Sequence, residues 1–313
     1  METARKNAGA FAAEMMSLLP FFHQNMPVQP EICTPQADVF RPGVTISTTE
    51  KIESMIEWHD FLAILRDNLE DAGIAMRKED FSQTLTWDVA RFLYACFLNR
   101  TPLMLAGPNG RAIADAFSCA RYGTTAALLD CSFSYDPKVV ELCVASEDRV
   151  IAILNPLNAS WVEHIEELAS LPDKYVFAVQ PFSDDLLIEP KGLYQYFLPL
   201  LTELLVEKPP ASSFAAGKCE KSFLDWHNTD APADVNGLML SLRIGGLAER
   251  RMKRILLDYI KLSETDHMDT GCLLVLYSYA YLTGQVSKLL ERDDLRIGRK
   301  AKEYLLALAG ELE

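Results

Sequence analysis

Four short apolar runs in the middle of the chain constrain its fold more than any other feature. Each run has the length of a β-strand, and a stretch with helical periodicity separates it from the next. The runs lie at 102–106, 125–129, 150–154 and 175–179, and the helical patterns lie at 111–121, 136–146 and 159–171. Near-continuous apolar strands that alternate with helices are typical of a parallel sheet covered by helices on both faces. The sequence therefore predicts an α/β fold.

The segments that flank this alternation predict an irregular arm and further helices. Five prolines among polar residues favour irregular backbone over residues 20–49, so residues 1–49 are interpreted as an arm or linker. Apolar residues at helical spacing predict helices at 50–73 and 84–98, before the first strand. After a polar connection, residues 235–313 are expected to be helical, in segments at 235–263, 268–291 and 295–312.

The charge and the cysteines of the chain argue against several classes of protein. A formal net charge of -14 repels phosphate backbones and anionic lipid surfaces, which disfavours broad nucleic-acid or membrane binding. Seven cysteines without C-x-x-C spacing and five histidines without ligand spacing predict no metal site. The chain has no convincing signal peptide and no apolar run of the ~20 residues that cross a bilayer. A cytoplasmic protein is expected.

The segment with the most chemical information is Thr101–Ser118, which reads T-P-L-M-L-A-G-P-N-G-R-A-I-A-D-A-F-S. It predicts a strand, a turn that contains Gly107 and Gly110, and then a helix. In a phosphate-binding loop of this kind, glycines let backbone N–H groups point inward, and the helix N-terminus adds partial positive charge. The segment therefore has the architecture of a phosphate-binding loop.

The whole arrangement resembles AAA+ ATPases, in particular the branch that contains the McrB-like restriction GTPases. The resemblance consists of leading helices, the run R-T-P-L-M-L-A-G-P-N-G, alternating strands and helices, and a helical C-terminal region. It implies a P-loop-type core at 50–210, a helical lid subdomain at 235–313 and the strand order 5-1-4-3-2.

The sequence departs from the AAA+ pattern at the residues that perform hydrolysis. Against G-x-x-x-x-G-K-[ST], Ala112 stands at the last glycine, Ile113 at the lysine and Ala114 at the Mg²⁺-binding hydroxyl. The lysine neutralises phosphate charge and the hydroxyl holds the metal, so both functions are lost. Arg111 is the nearest cation, but its position does not match that of the lysine.

Later positions of the AAA+ pattern are also changed. Asn155 and Pro156 follow the third predicted strand, where the resemblance implies an acidic pair for Mg²⁺ and water activation. Gln180 ends the fourth predicted strand, near the polar sensor residue of the family. The resemblance also implies a second sensor arginine in the region of Arg250, Arg251 and Arg254, whereas charge pattern alone favours a solvated basic face.

These observations predict an AAA+-like pseudo-ATPase or interaction module that does not hydrolyse ATP and acts with a protein partner or oligomer in a larger assembly. No catalytic residue is assigned. ATP or GTP binding without hydrolysis stays open. The residues assigned to a vestigial phosphate loop and its surroundings are Gly107, Pro108, Asn109, Gly110, Arg111, Asn155 and Gln180.

Two other interpretations of the same residues stay open at this stage. In a Rossmann-like protein, Gly107 and Gly110 would approach a dinucleotide or another nucleotide cofactor, and Asp130, 20 residues beyond Gly110, would hold a ribose. In a purely structural domain, the turn would be filled by side chains and bind nothing. Strand order separates the first alternative from the AAA+ interpretation, because Rossmann sheets have the order 3-2-1-4-5-6.

Overall fold

A computed structural model describes residues 39–46, 57–74, 82–219, 239–240, 242–263 and 270–291. Most of the predicted arm at 1–49 and the helix predicted at 295–312 lie outside these residues.

The described residues form a six-stranded sheet in which five neighbouring strands are parallel. The strands are β1 (Phe40–Arg41), β2 (Leu103–Ala106), β3 (Ala127–Asp130), β4 (Val150–Leu154), β5 (Tyr175–Gln180) and β6 (Leu198–Leu201). Their order across the sheet is β1-β3-β4-β5-β2-β6, with β1 antiparallel to β3 at one edge. The predicted α/β class with a mostly parallel sheet is confirmed.

The five parallel strands have the order 5-1-4-3-2 when they are numbered along the chain. The first of them, β2, hydrogen-bonds to β5 on one side and to β6 on the other, so Leu103 lies opposite both Phe177 and Leu198. The sequence did not predict β6. Its short run contains Pro199, which argues against a central strand but is compatible with the edge position that β6 occupies.

Helices cover both the sheet and one another. The α-helices are α1 (Trp58–Asp71), α2 (Ser82–Leu98), α3 (Gly110–Tyr122), α4 (Pro137–Ala145), α5 (Ala159–Val162), α6 (Ile165–Ala169), α7 (Asp185–Ile188), α8 (Gly246–Ser263), α9 (Thr270–Leu282) and α10 (Val286–Leu290). Short 3-10 helices lie at Lys191–Gln195 and Thr202–Leu204. No helix among the described residues is long and apolar enough to cross a bilayer.

The helix predicted at 159–171 is divided into α5 and α6. The first of these short helices, α5, begins at Ala159. Asn158 is the N-cap, and its side-chain oxygen accepts a hydrogen bond of 3.2 Å from the backbone N–H of Ser160.

An aromatic cluster around Phe117 joins α3 to the sheet and to the leading helices. The ring of Phe117 lies 5.5–5.8 Å from the rings of Phe61, Phe97, Tyr175 and Phe177. Phe117 is fully buried. These edge-on and tilted contacts add to the burial of large apolar surfaces, so the cluster is a main source of core stability.

The C-terminal helices pack directly on this core. Helices α8 and α9 both contact α2, and α9 also lies against β6. The hydroxyl of Ser278 on α9 accepts a 3.0 Å hydrogen bond from the backbone N–H of Leu201 in β6. Helix α9 therefore covers the side of the edge strand β6.

Five cysteines are free and buried: Cys96, Cys119, Cys131, Cys143 and Cys219. Burial raises the pKa of Cys119 and Cys143 to about 12 and raises that of Cys131 still further. These thiols act as small apolar side chains of the core.

Replacement of Phe117 by alanine should cost about 3–5 kcal/mol of unfolding free energy, because it empties the centre of the aromatic cluster. Phe182 is 68% exposed and provides a matched control, since the same substitution there should change stability by less than about 0.5 kcal/mol. Urea denaturation of both variants measures the difference. Equal losses would contradict the assignment of Phe117 to the core.

The buried thiols should resist iodoacetamide in the folded protein at neutral pH and react completely in denaturant, as mass spectrometry would show. They also predict a pH dependence. Thiols of the unfolded chain ionise near 9.0, whereas Cys119 and Cys143 stay neutral in the folded protein until about 12. Their contribution to the free energy of unfolding should be full below pH 9.0 and fall as pH rises towards 12. Rapid native labelling of Cys119 or Cys143 would contradict this.

Candidate functional site

The loop that follows β2 is short and strained. Strand β2 ends at Ala106 and α3 begins at Gly110, which leaves Gly107, Pro108 and Asn109 as the loop. Gly107 has φ 114° and Asn109 has φ 58°, in the region that L-residues rarely adopt. A P-loop of the form G-x-x-x-x-G-K has four residues between its glycines. Here the helix begins only three residues after Gly107, so little backbone is left to surround a phosphate.

Position 107 requires glycine because Thr202 and Glu203 lie directly against its Cα atom. Its backbone N–H donates a 2.9 Å hydrogen bond to the carbonyl of Gln180, so it does not point into an open loop. A Cβ atom at this position would lie 2.8 Å from Thr202 Oγ1 and 2.7 Å from Glu203 Cγ. Only glycine allows the segment after β6 to approach this closely.

Thr202 and Glu203 cover the loop. The hydroxyl of Thr202 lies 3.1 Å from the carbonyl oxygen of Ala106 and 2.7 Å from that of Pro108. The carboxylate of Glu203 accepts a 2.7 Å hydrogen bond from the hydroxyl of Ser183. Sequence reasoning missed both residues, because they follow a strand that the sequence did not predict. The pair Thr-Glu directly after the apolar run L-P-L-L was the available signal.

Asn109 connects the loop to two other segments. Its side-chain amide donates hydrogen bonds of 2.9 Å to the carbonyls of Ala72, after α1, and of Lys208, after β6. It makes no capping hydrogen bond to α3, although it is the residue before the first turn. Asn109 therefore holds the loop closed and is not available for a ligand.

Arg111 is directed away from the loop and towards β3. Its guanidinium bonds to Asp115 at 2.9 Å and to the carbonyl of Ala126 at 2.6 Å. Asp115 in turn accepts a 2.9 Å hydrogen bond from the backbone N–H of Ala126. Burial raises the pKa of Asp115, although Arg111 and the hydrogen bond from Ala126 act in the opposite direction. The predicted role of Arg111 near a phosphate is therefore replaced by a link between α3 and β3.

Asn155 lies at the end of β4 and faces the neighbouring loop after β3. It has φ 52°, and its side-chain amide donates a 2.8 Å hydrogen bond to the hydroxyl of Ser132. Its backbone N–H donates to the carbonyl of Val179 at 3.1 Å. Strand β5 lies between β4 and β2, so Asn155 is separated from the loop after β2 by one strand.

Gln180 is the sequence-predicted residue that does lie beside the loop. It pairs with Ala106 in the sheet and is 8% exposed. Its amide Nε2 donates to Asp185 at 2.5 Å. Its Oε1 is buried without a hydrogen-bond partner among the described residues, which is an unfavourable state for an amide oxygen.

The structure thus brings together only part of the predicted site. Gly107 and Pro108 lie against Thr202 and Glu203, and Gln180 bonds to Gly107 through its backbone carbonyl. The side chains of Arg111 and Asn155 bond elsewhere. Within the described part of the chain, no cluster of His, Cys, Asp and Glu side chains could hold a metal ion.

A cavity of about 570 Å³ lies beside the first turn of α3 and is lined in part by Asn109 of the loop. The residues after β1 and the segment 210–214 form its walls, and Arg111 and Asp115 contribute to its lining while bonded to each other. Apolar side chains such as Ile46 and Phe214 make up much of the rest. The cavity therefore offers few uncommitted polar groups.

Comparison of the chain with protein-family models, curated proteins and solved structures finds no match.

Replacement of Asn109 by alanine should destabilise the protein by about 2–4 kcal/mol, because it removes two hydrogen bonds and places a Cβ-bearing residue without polar compensation at positive φ. Replacement by glycine should cost about 1–2 kcal/mol less than alanine, since glycine tolerates this backbone. Denaturant titration of the two variants separates the hydrogen bonds from the backbone strain. If both variants were as stable as the wild type, Asn109 would not hold the loop closed.

Proposed function

We propose that this chain is an AAA+-like pseudo-ATPase module whose former phosphate loop binds no nucleotide, and that it acts through protein contacts within a larger assembly. The observation that carries this proposal is the closure of the loop. Gly107 and Pro108 contact Thr202 and Glu203, and the amide of Asn109 joins the loop to the segments after α1 and β6. A triphosphate would have to displace these groups.

The order of the strands supports the AAA+ part of the proposal. The five parallel strands follow the order 5-1-4-3-2, which is the order that the resemblance implies. The loop at Gly107 comes after the first of these strands and before a helix, as a phosphate loop does in that architecture. In this proposal, the chain keeps the AAA+ strand order, but its loop at Gly107 no longer binds a phosphate.

The residues that replace the lysine and the hydroxyl support the loss of hydrolysis. Ile113 and Ala114 are both fully buried in the core. Because α3 already begins at Gly110, these two positions lie within the helix and pack inward. Restoring lysine at position 113 would bury a charge without presenting it to a ligand.

Negatively charged side chains beside the loop also disfavour phosphate binding. The Glu203 side chain lies against Gly107, and Asp185 bonds to Gln180 next to it. Arg111 is bonded to Asp115 on the β3 side. The loop therefore has carboxylates as its near neighbours, and like charges disfavour a bound polyanion.

The strand order argues against the dinucleotide alternative. Asp130 ends β3, and β4 and β5 lie between β3 and β2. At the usual spacing of strands, Asp130 is about 14 Å across the sheet from the strand that leads into Gly107. A ribose held by Asp130 and a pyrophosphate held at Gly107 therefore do not fit one ligand in the Rossmann manner.

Exposed apolar residues near the same edge of the sheet favour a role in protein contacts. Phe182 is 68% exposed, Leu187 48% and Ile188 85%, and all three lie on the segment that follows β5. Groups of exposed large apolar side chains often mark interaction surfaces, whereas a single exposed apolar side chain is common on any protein. This surface lies next to Gln180 and the closed loop.

The purified protein should release no phosphate from Mg²⁺-ATP or Mg²⁺-GTP above background, and neither nucleotide should bind at the loop after β2. The same result is expected for NAD(P) and S-adenosylmethionine. We expect no phosphate release and no nucleotide binding at the loop in Glu203→Gln either, because Thr202 still closes the loop and the cationic lysine is missing.

The matched control for Glu203→Gln is Glu141→Gln, which removes an exposed carboxylate from α4. Mg²⁺-dependent turnover would contradict the proposal, and so would a rise in Tm with ATP or GTP that depends on Glu203. If that signal changed in Glu203→Gln and not in Glu141→Gln, the nucleotide would be bound at the loop.

A further inference from the structure

A second cavity, of about 220 Å³, is lined by four arginines from two separate parts of the chain. Its lining consists of Asn99, Arg100, Leu247, Arg250, Arg251 and Arg254. Arg100 belongs to the turn between α2 and β2, and the other three arginines belong to the first half of α8. This concentration of positive charge occurs in a chain whose formal net charge is -14.

The cavity lies at the amino ends of the parallel strands, whereas the closed loop lies at their carboxyl ends. Arg100 precedes β2, whereas Gly107 follows it. Arg251 Nη1 donates hydrogen bonds of 2.7 and 3.0 Å to the carbonyls of Gln195 and Tyr196, which precede β6. At ~3.3 Å per residue of strand, the cluster is about 20 Å from Gly107. These arginines therefore do not contact a ligand at the loop, as a second sensor arginine would.

Three of the four guanidinium groups have no partner among the described residues. Arg251 is held by backbone carbonyls, but Arg100, Arg250 and Arg254 make no hydrogen bond or ion pair within that part of the chain. The two acidic residues of α8 bond to residues other than these arginines, one of them to Asn99 of the cavity lining. Glu249 bonds to Lys253 at 2.5 Å, and Asp258 accepts a 2.7 Å hydrogen bond from Asn99.

Arg100, Arg250 and Arg254 are exposed and solvated, so the cost of placing them together is small. Arg250 and Arg254 are four residues apart on one helix face, where like charges repel. Arg100 has φ 47°, a conformation that costs energy for a residue with a Cβ atom. A bound anion would replace the repulsion between Arg250 and Arg254 with favourable interactions.

We propose that this cavity binds the phosphate group of a small phosphorylated molecule. Guanidinium groups match phosphate oxygens with paired N–H donors, and several of them together suit a group that carries two negative charges. The cavity is small, and Leu247 is the apolar side chain in its lining, which favours a compact ligand over one with a large ring system. The overall charge of -14 disfavours long polyanions such as nucleic acid. This inference does not depend on the proposed function.

The test uses the full chain with inorganic phosphate and pyrophosphate as probes, at an ionic strength held constant with sodium chloride. We expect both probes to raise the Tm and to bind measurably by isothermal titration calorimetry. Arg254→Gln and Arg250→Gln should each weaken pyrophosphate binding by about 10- to 100-fold, the usual effect of losing a charged hydrogen bond.

The matched control is Arg149→Gln, which removes one exposed arginine just before β4, outside the residues that line the cavity. It should leave the affinity within about twofold of wild type, the small change usual for a remote surface charge. Arg254→Lys should bind more weakly than wild type and more tightly than Arg254→Gln, because lysine keeps the charge and loses the paired donors. Without probe, Arg254→Gln should be at least as stable as wild type, since it relieves repulsion.

Three outcomes would overturn the proposal. One is the absence of any response to phosphate and pyrophosphate in the folded wild-type protein. Another is an equal loss of binding in Arg149→Gln, which would mean general charge attraction. The third is binding of a DNA oligonucleotide or a phosphoserine peptide through Arg250 and Arg254 without binding of the two small probes.

Discussion

The pairing of β2 with β5 on one side and β6 on the other is the constraint on which the rest of the structure depends. Because all three strands are parallel, their carboxyl ends meet at one edge of the sheet. The residues that follow β6 therefore lie directly over the loop that follows β2. Thr202 and Glu203 occupy this position, and Gly107 is the residue that allows their approach. The closed loop is thus a direct consequence of strand order.

The two ends of the parallel strands differ in the charge of the nearby side chains and in how many polar groups are hydrogen-bonded within the protein. At the carboxyl edge, the donors and acceptors around the loop are largely satisfied within the protein, and the nearby ionisable groups are acidic. At the amino edge, three arginines lie around one cavity without partners among the described residues. Satisfied groups favour a structural role, whereas uncompensated charge favours ligand binding. The geometry therefore favours anion recognition at the end of the sheet away from the loop after β2.

Local sequence patterns predicted most of the central elements, because a strand or helix with one apolar face carries its own periodicity. The four predicted strands and the helices between them are present with small changes at their ends. The failures occurred where the local pattern was weak. Strand β6 contains Pro199, and the helix at 159–171 is interrupted because Asn158 and His164 each begin a short helix.

The sequence by itself determined the strand, turn and helix around Gly107 and the absence of the lysine and hydroxyl of a working phosphate loop, since both are properties of neighbouring residues. Only the tertiary structure decided that Thr202 and Glu203 cover the loop and that Arg111 turns to Asp115. It also decided that Arg100 meets Arg250 and Arg254. These contacts join residues far apart in the chain, and sequence periodicity carries no information about which distant segments become neighbours in a sheet.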